Sequence, residues 1–122
     1  MKINKLLHAS VLVADVDRSL AFYVKLLGLN VDSSRPDLGY PGAWLAMGDQ
    51  QIHLLQLPNP DPIEGRPAHG GRDRHIALAV DNIAELIDTL NNAGITYTLS
   101  KSDRKALFCR DPDGNALEFV EG

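Results

Sequence analysis

Two periods of apolar and polar positions run through the chain, and they recur in the same order in its two halves. Residues 5–13 alternate and predict a strand, with His8 on the face of Ser10 and Leu12. Asp15 or Asp17 then caps a helix whose Leu20, Tyr23, Leu26 and Leu27 fall on one face, and Gly28 follows as its stop. Short strands are expected at 29–33, 43–47 and 51–57, with Gly48-Asp49 as a hairpin turn. Residues 58–73 have no period and carry Pro58, Pro60, Pro62, Pro67, Gly70 and Gly71, which reads as a linker or lid loop. The order then repeats. A strand at 74–80 precedes a helix from Asp81, with Ile83, Leu86, Ile87 and Leu90 on one face and Gly94 as its stop. Strands at 95–99, 106–110 and 115–121 complete the second half.

This internal repeat predicts an α+β fold of two βαβββ modules. Module 1 spans about 4–58, a linker about 59–73 and module 2 about 74–122, within a single domain of residues 1–122. The alternation also sorts side chains to faces. Ile76, Leu78 and Val80 form a bulky face, leaving His75 with Ala77 and Ala79; Ile52 and Leu54 point away from His53; Leu117 and Phe119 point away from Glu118. His8 and His75 thus open the two copies, and His53 and Glu118 sit in their last strands. A carboxylate in mid-strand needs a partner, water or a metal, because an unpaired buried charge is costly. Each residue also has a plain structural reading. His8 could be a solvated strand-end residue, His53 a satisfied polar residue, and Glu118 the partner of Arg104 or Arg110. His69 reads as a solvent-exposed loop residue and Trp44 as core or cavity wall. Arg35, Arg66, Arg72 and Arg104 either steer an anion or are scattered surface charges.

Composition narrows the classes. At 122 residues with 44% hydrophobic and 23% charged content, the chain is that of a globular protein with its own core, without a membrane span. A net charge of −4 and the lack of a basic run argue against a nucleic-acid partner. The single cysteine, Cys109, lies in an expected strand and fits a reducing, cytoplasmic setting. The opening Met1-Lys2-Ile3-Asn4-Lys5-Leu6-Leu7-His8 reads as the first strand rather than a secretory signal.

The chain resembles the vicinal oxygen chelate superfamily, which includes glyoxalase I, extradiol dioxygenases, fosfomycin-resistance enzymes, methylmalonyl-CoA epimerase and bleomycin-binding proteins. The resemblance rests on the His8 strand followed by Asp17-Arg18-Ser19-Leu20-Ala21-Phe22-Tyr23 and Leu27-Gly28-Leu29. It continues in Arg74-His75-Ile76-Ala77-Leu78-Ala79-Val80 and Asp111-Pro112-Asp113-Gly114-Asn115-Ala116-Leu117-Glu118. It implies paired βαβββ modules forming a curved mixed sheet around a metal-lined cavity, with His8, His75 and Glu118 at ligand positions. The fourth position is a departure: glyoxalase I has Glu there and the epimerase Gln, whereas this chain has His53. Three imidazoles and a carboxylate suit Zn²⁺, Ni²⁺, Fe²⁺, Mn²⁺ or Co²⁺. The resemblance implies a lactoylglutathione lyase-like isomerase or lyase working through a metal-bound enediolate. Glu118 is then the base, with His53 as ligand or alternative base. The substrate would be a small molecule, such as a glutathione adduct, and the assembly a homodimer. A non-haem Fe(II) dioxygenase and a metal-free small-molecule binder of the bleomycin-resistance kind are the competing expectations.

Overall fold

The computed structural model describes residues 1–101 and 105–122, so Arg104 lies outside the described residues. The chain divides into two compact units, Met1–Asp61 and Pro62–Gly122. Residues 62–73, expected in the linker, therefore fold with the second unit.

In the first unit the strands are β1 (His8–Leu12), β2 (Asn30–Val31), β3 (Gly42–Met47) and β4 (Gln50–Leu55). They form a sheet ordered β1-β4-β3-β2, with β1 parallel to β4 and the other pairs antiparallel. A helix, α1, runs from Val16–Leu20 and continues as a π-helical stretch over Ala21–Leu26. Its N-cap is Asp15, whose carboxylate accepts from the Asp17 and Arg18 amides. The apolar spacing that announces α1 does not reveal the wider turn, because both helix types bring i+3 to i+5 neighbours near one face. Adjacent Phe22 and Tyr23 are both buried there, with their rings edge to face at 5.0 Å. Val13, Ala43, Leu45, Ile52 and Leu54 are buried too, and strand alternation puts them on the face of the sheet opposite His53.

The second unit repeats this plan. Strands β5 (His75–Val80), β6 (Tyr97–Leu99), β7 (Ala106–Arg110) and β8 (Ala116–Glu121) are ordered β5-β8-β7-β6, with β5 parallel to β8. Helix α2 (Ile83–Asn92) is capped by Asn82, which accepts from the Glu85 amide. Its Ile83, Leu86 and Leu90 are buried, as are Leu107, Leu117 and Phe119 of the sheet. Each such apolar side chain contributes about 1.5–3 kcal/mol on leaving water. Cys109 belongs to this core, and burial, aided by the Asp111 charge, pushes its thiol up to about 12. Among the described residues no helix is long and apolar enough to cross a membrane.

Strand pairing relates the units residue by residue. His8 pairs with Gln51 as His75 pairs with Ala116, and Trp44 pairs with His53 as Phe108 pairs with Glu118. Cα partners across a ladder share a sheet face. His8 and His53 therefore lie on one face of the first sheet, and His75 and Glu118 on the corresponding face of the second.

Candidate functional site

On the first unit's polar face three rings stack. The His53 ring lies 3.8 Å from that of His8, tilted by 13°, and 4.5 Å from that of Trp44, tilted by 9°. The order of strands explains it: β4 runs between β1 and β3, so its imidazole is held between theirs. His53 Nε2 is 2.7 Å from Gln51 Oε1, and Gln51 Nε2 donates to Asp32 Oδ2 at 2.6 Å. Burial lowers the His53 pKa below the usual histidine value, and the neighbouring His8 and Arg35 charges add to this against the pull of Asp32. His53 therefore favours the neutral form, which has a lone pair for a proton or a metal. Trp44, His8, Gln51 and His53 wall a cavity of about 430 Å³. Arg35 donates to the Tyr40 carbonyl at 2.9 Å and lies over the Tyr40 ring, so it is committed to its own loop.

The second unit's face carries a different pair. His75 Nε2 is 3.1 Å from Glu118 Oε1, and His75 Nδ1 donates to the Asp73 carbonyl at 2.9 Å. Glu118 is only 4% exposed. Neutral His75 then has its lone pair on Nε2, facing a carboxylate oxygen. Two acceptors at that distance need a proton or a cation to join them. That separation, an ordinary hydrogen-bond distance, also leaves both atoms close enough to be ligands of one divalent ion at about 2.0–2.2 Å. The donor set and this spacing fit a divalent metal. Among the described residues no group of three or more His, Cys, Asp or Glu side chains stands together to hold one; the donors come as one pair per unit.

What holds His75 in place was not legible in the chain. Asp73, immediately before β5 but for Arg74, receives Arg66 through two bonds of 2.7 Å and Arg110 through one of 2.8 Å. These guanidiniums, Arg66 foremost, hold the Asp73 carboxyl well below the usual carboxylate range. Arg110, considered as a partner for Glu118, instead ties Asp73 to the carbonyls of Gly114 and Pro67. Arg66, considered as an anion-steering charge, is an internal ion-pair partner. The nearest sequence signal was the cluster Arg72-Asp73-Arg74 abutting a strand.

His69 is a correction. It is half-buried rather than solvent-exposed, with Nδ1 2.7 Å from Thr98 Oγ1 and its ring 4.6 Å from Phe108. The loop can lie this close because Gly70 and Gly71 have no side chains. A Cβ on Gly70 would stand 3.2 Å from Ala116 Cβ, and one on Gly71 2.9 Å from His69 Nε2. The His69–Gly71 end of the stretch expected to be a linker or lid loop is thus packed against the site face. Its imidazole flanks Phe108 together with His75, whose ring is 5.4 Å away.

The sequence signature of the Glyoxalase/Bleomycin resistance protein/Dioxygenase superfamily matches residues 5–119. "Glyoxylase I 4" of Arabidopsis thaliana is 33% identical over 125 residues, covering 98% of this chain and 71% of that protein. The "Lactoylglutathione lyase" of Escherichia coli O157:H7 is 33% identical over 128 residues, covering 96% and 92%. A solved structure described as of the glyoxalase family, from Bacillus anthracis, superposes with a TM-score of 0.81 at 25% identity, covering 100% and 98%.

Proposed function

The chain belongs to the glyoxalase/bleomycin resistance protein/dioxygenase superfamily, and on that premise we propose that it is a divalent-metal-dependent isomerase or lyase of the lactoylglutathione lyase type. Its substrate would be a small glutathione adduct, such as the thiohemiacetal of an α-oxo aldehyde; support comes from the 33%-identical relative named a lactoylglutathione lyase. The observation that carries the reading is the buried Glu118 carboxylate 3.1 Å from His75 Nε2. His75, Glu118 and His8 would hold the metal, with His53 as fourth ligand or as a base through Nδ1. When bound, the metal supplies Lewis-acid polarisation of two adjacent substrate oxygens.

The chain's own residues would do the rest. The Asp73 carbonyl orients His75, so that its Nε2 faces Glu118. Glu118, paired in the sheet with Ala77 and Phe108, would take the proton from the carbon bearing the hydroxyl on its free carboxylate oxygen and return it to the adjacent carbonyl carbon, while the hydroxyl's own proton passes to the former carbonyl oxygen. No atom is gained or lost, so the change is an isomerisation. Glu118 is buried beside its strand partner Phe108, so few waters would compete for its proton.

Methylglyoxal and glutathione, supplied with Zn²⁺, Ni²⁺, Fe²⁺, Mn²⁺ or Co²⁺ in turn, test the proposal. Thioester should form with at least one metal and stop on chelation. A protein that binds these metals and forms no thioester with any of them overturns the lyase assignment, and oxygen uptake with catechols would redirect it to a dioxygenase. The proposed assembly is a homodimer in which a first-unit pair of one subunit serves with a second-unit pair of the other. Mixing inactive His8→Ala and Glu118→Ala proteins should then recover roughly a quarter of sites. No recovery after verified subunit exchange would exclude sharing.

One observation favours a second reading. The Trp44 and His53 rings wall a cavity of about 430 Å³ within the first unit, a size that suits a small organic ligand. Chelator-treated protein whose Trp44 fluorescence reports saturable ligand binding would support a metal-free binding protein.

A further inference from the structure

We propose that Asp32 and Gln51 are positioning residues that lock His53 in its Nε2–H tautomer and so reserve Nδ1 as the atom with which His53 works. The use to which Nδ1 is put rests on the function proposed above; the tautomer itself does not.

Asp32 follows β2 directly, and its amide donates to the Trp44 carbonyl at 2.8 Å. Its Oδ1 accepts from the Ser34 amide at 2.9 Å and the Ser34 hydroxyl at 2.7 Å, leaving Oδ2 to face Gln51. An ionised carboxylate can only accept, so the group of Gln51 that meets it must be the amide nitrogen. Gln51 Oε1 then faces His53 Nε2 at 2.7 Å. A carbonyl oxygen can also only accept, so Nε2 must carry the hydrogen. Neutral imidazole has one N–H, which puts the lone pair on Nδ1. The ring cannot turn over to escape this choice, because His8 and Trp44 cover its two faces. The small side chain of Ala46 lies opposite Gln51 on the intervening strand, where the hydrogen-bonded chain crosses from β2 to β4. The second unit makes the opposite choice: His75 donates from Nδ1 to the Asp73 carbonyl. The two imidazoles therefore present opposite nitrogens.

The near-isosteric Asp32→Asn change gives a sharp test. The Ser34 amide still needs Oδ1, so the new NH₂ group turns to Gln51. Gln51 must then present Oε1 to residue 32 and its own NH₂ to His53, which has to accept at Nε2 and move its hydrogen to Nδ1. Long-range ¹H–¹⁵N spectra of metal-free, histidine-labelled protein should show Nε2–H at His53 in the wild type and predominantly Nδ1–H in Asp32→Asn. Gln51→Leu, which removes the link altogether, should give a mixture. Nδ1–H in the wild type, retention of Nε2–H in Asp32→Asn, or an unmixed Nε2–H signal in Gln51→Leu would each overturn the inference. These spectra need neither metal nor substrate, so an inactive protein with the expected tautomers sinks only the proposed activity. In an active protein with His53 as its base, Asp32→Asn should lower kcat at least about tenfold while KM stays within about twofold, since a mis-set tautomer harms proton transfer more than binding.

Discussion

The two units share a topology and a register but support their donors by opposite means. In the first, an amide side chain, Gln51, reaches along the polar face to hold His53, and a Trp44–His53–His8 stack fills the width of three strands. In the second, Ala116 stands where Gln51 does, and the backbone loop of His69–Gly71 comes down onto the space that a longer side chain would occupy. Arg110 stands where Ala46 does and ties that loop to the sheet through Asp73. One face is supported by side chains of its own strands, the other by a loop held with ion pairs. The difference teaches that a repeated scaffold leaves the chemistry of each copy to a few positions, here 51/116, 53/118 and 46/110.

The two donor pairs differ most at Glu118, their only carboxylate. Glu118→Gln should lower metal affinity by more than the about 10–100-fold that loss of a ligand's supporting partner costs, and should abolish turnover. His53→Gln, which keeps an oxygen donor in its place, should retain more metal. Metal content after dialysis checks this; equal retention by both variants and wild type would remove Glu118 from the ligand set.

Next comes the anchor of the loop. Asp73→Asn leaves two guanidiniums facing a neutral amide and should cost about 2 kcal/mol in denaturant unfolding. The pH dependence follows from the sign of the Asp73 shift. Its folded pKa is depressed by Arg66 and Arg110, so the stabilisation is complete above about pH 4 and is lost as pH falls toward the folded value. Wild type should therefore lose stability across that acid range more steeply than Asp73→Asn.

A smaller effect is expected from making the second unit resemble the first. Ala116→Gln forces a long side chain against Gly70 and should cost about 1–3 kcal/mol by overpacking. The same substitution at an open position would be nearly neutral, so a neutral result would mean that the loop does not depend on Ala116. The smallest effect concerns His53. Its pKa is lowered, chiefly by burial, so the folded state prefers it neutral. Stability from that preference is complete above the unfolded value of about 6.5 and is lost as pH falls below it. An NMR titration should place His53 below a solvent-exposed histidine, and His53→Gln should flatten the stability profile just under neutral pH.

The sequence by itself determined the order of elements and the face on which each of His8, His53, His75 and Glu118 lies. Those are local properties: a two-residue strand period and a helical period are written in successive side chains, and Asp15, Asn82 and the hairpin turns act on their immediate neighbours. The π-helical turn of α1 escaped that reading because the apolar spacing tolerates either helix. Only packing chose the partners of polar groups that lie far apart in the chain. Arg110 meets Asp73 across 37 residues and His69 meets Thr98 across 29, and no periodicity in the chain encodes such pairings. They arise because burying a loop on a sheet leaves each donor to find the nearest acceptor that the packed backbone offers. The hydrogen on His53 was settled in the same way, by a carboxylate and an amide brought together from separate strands.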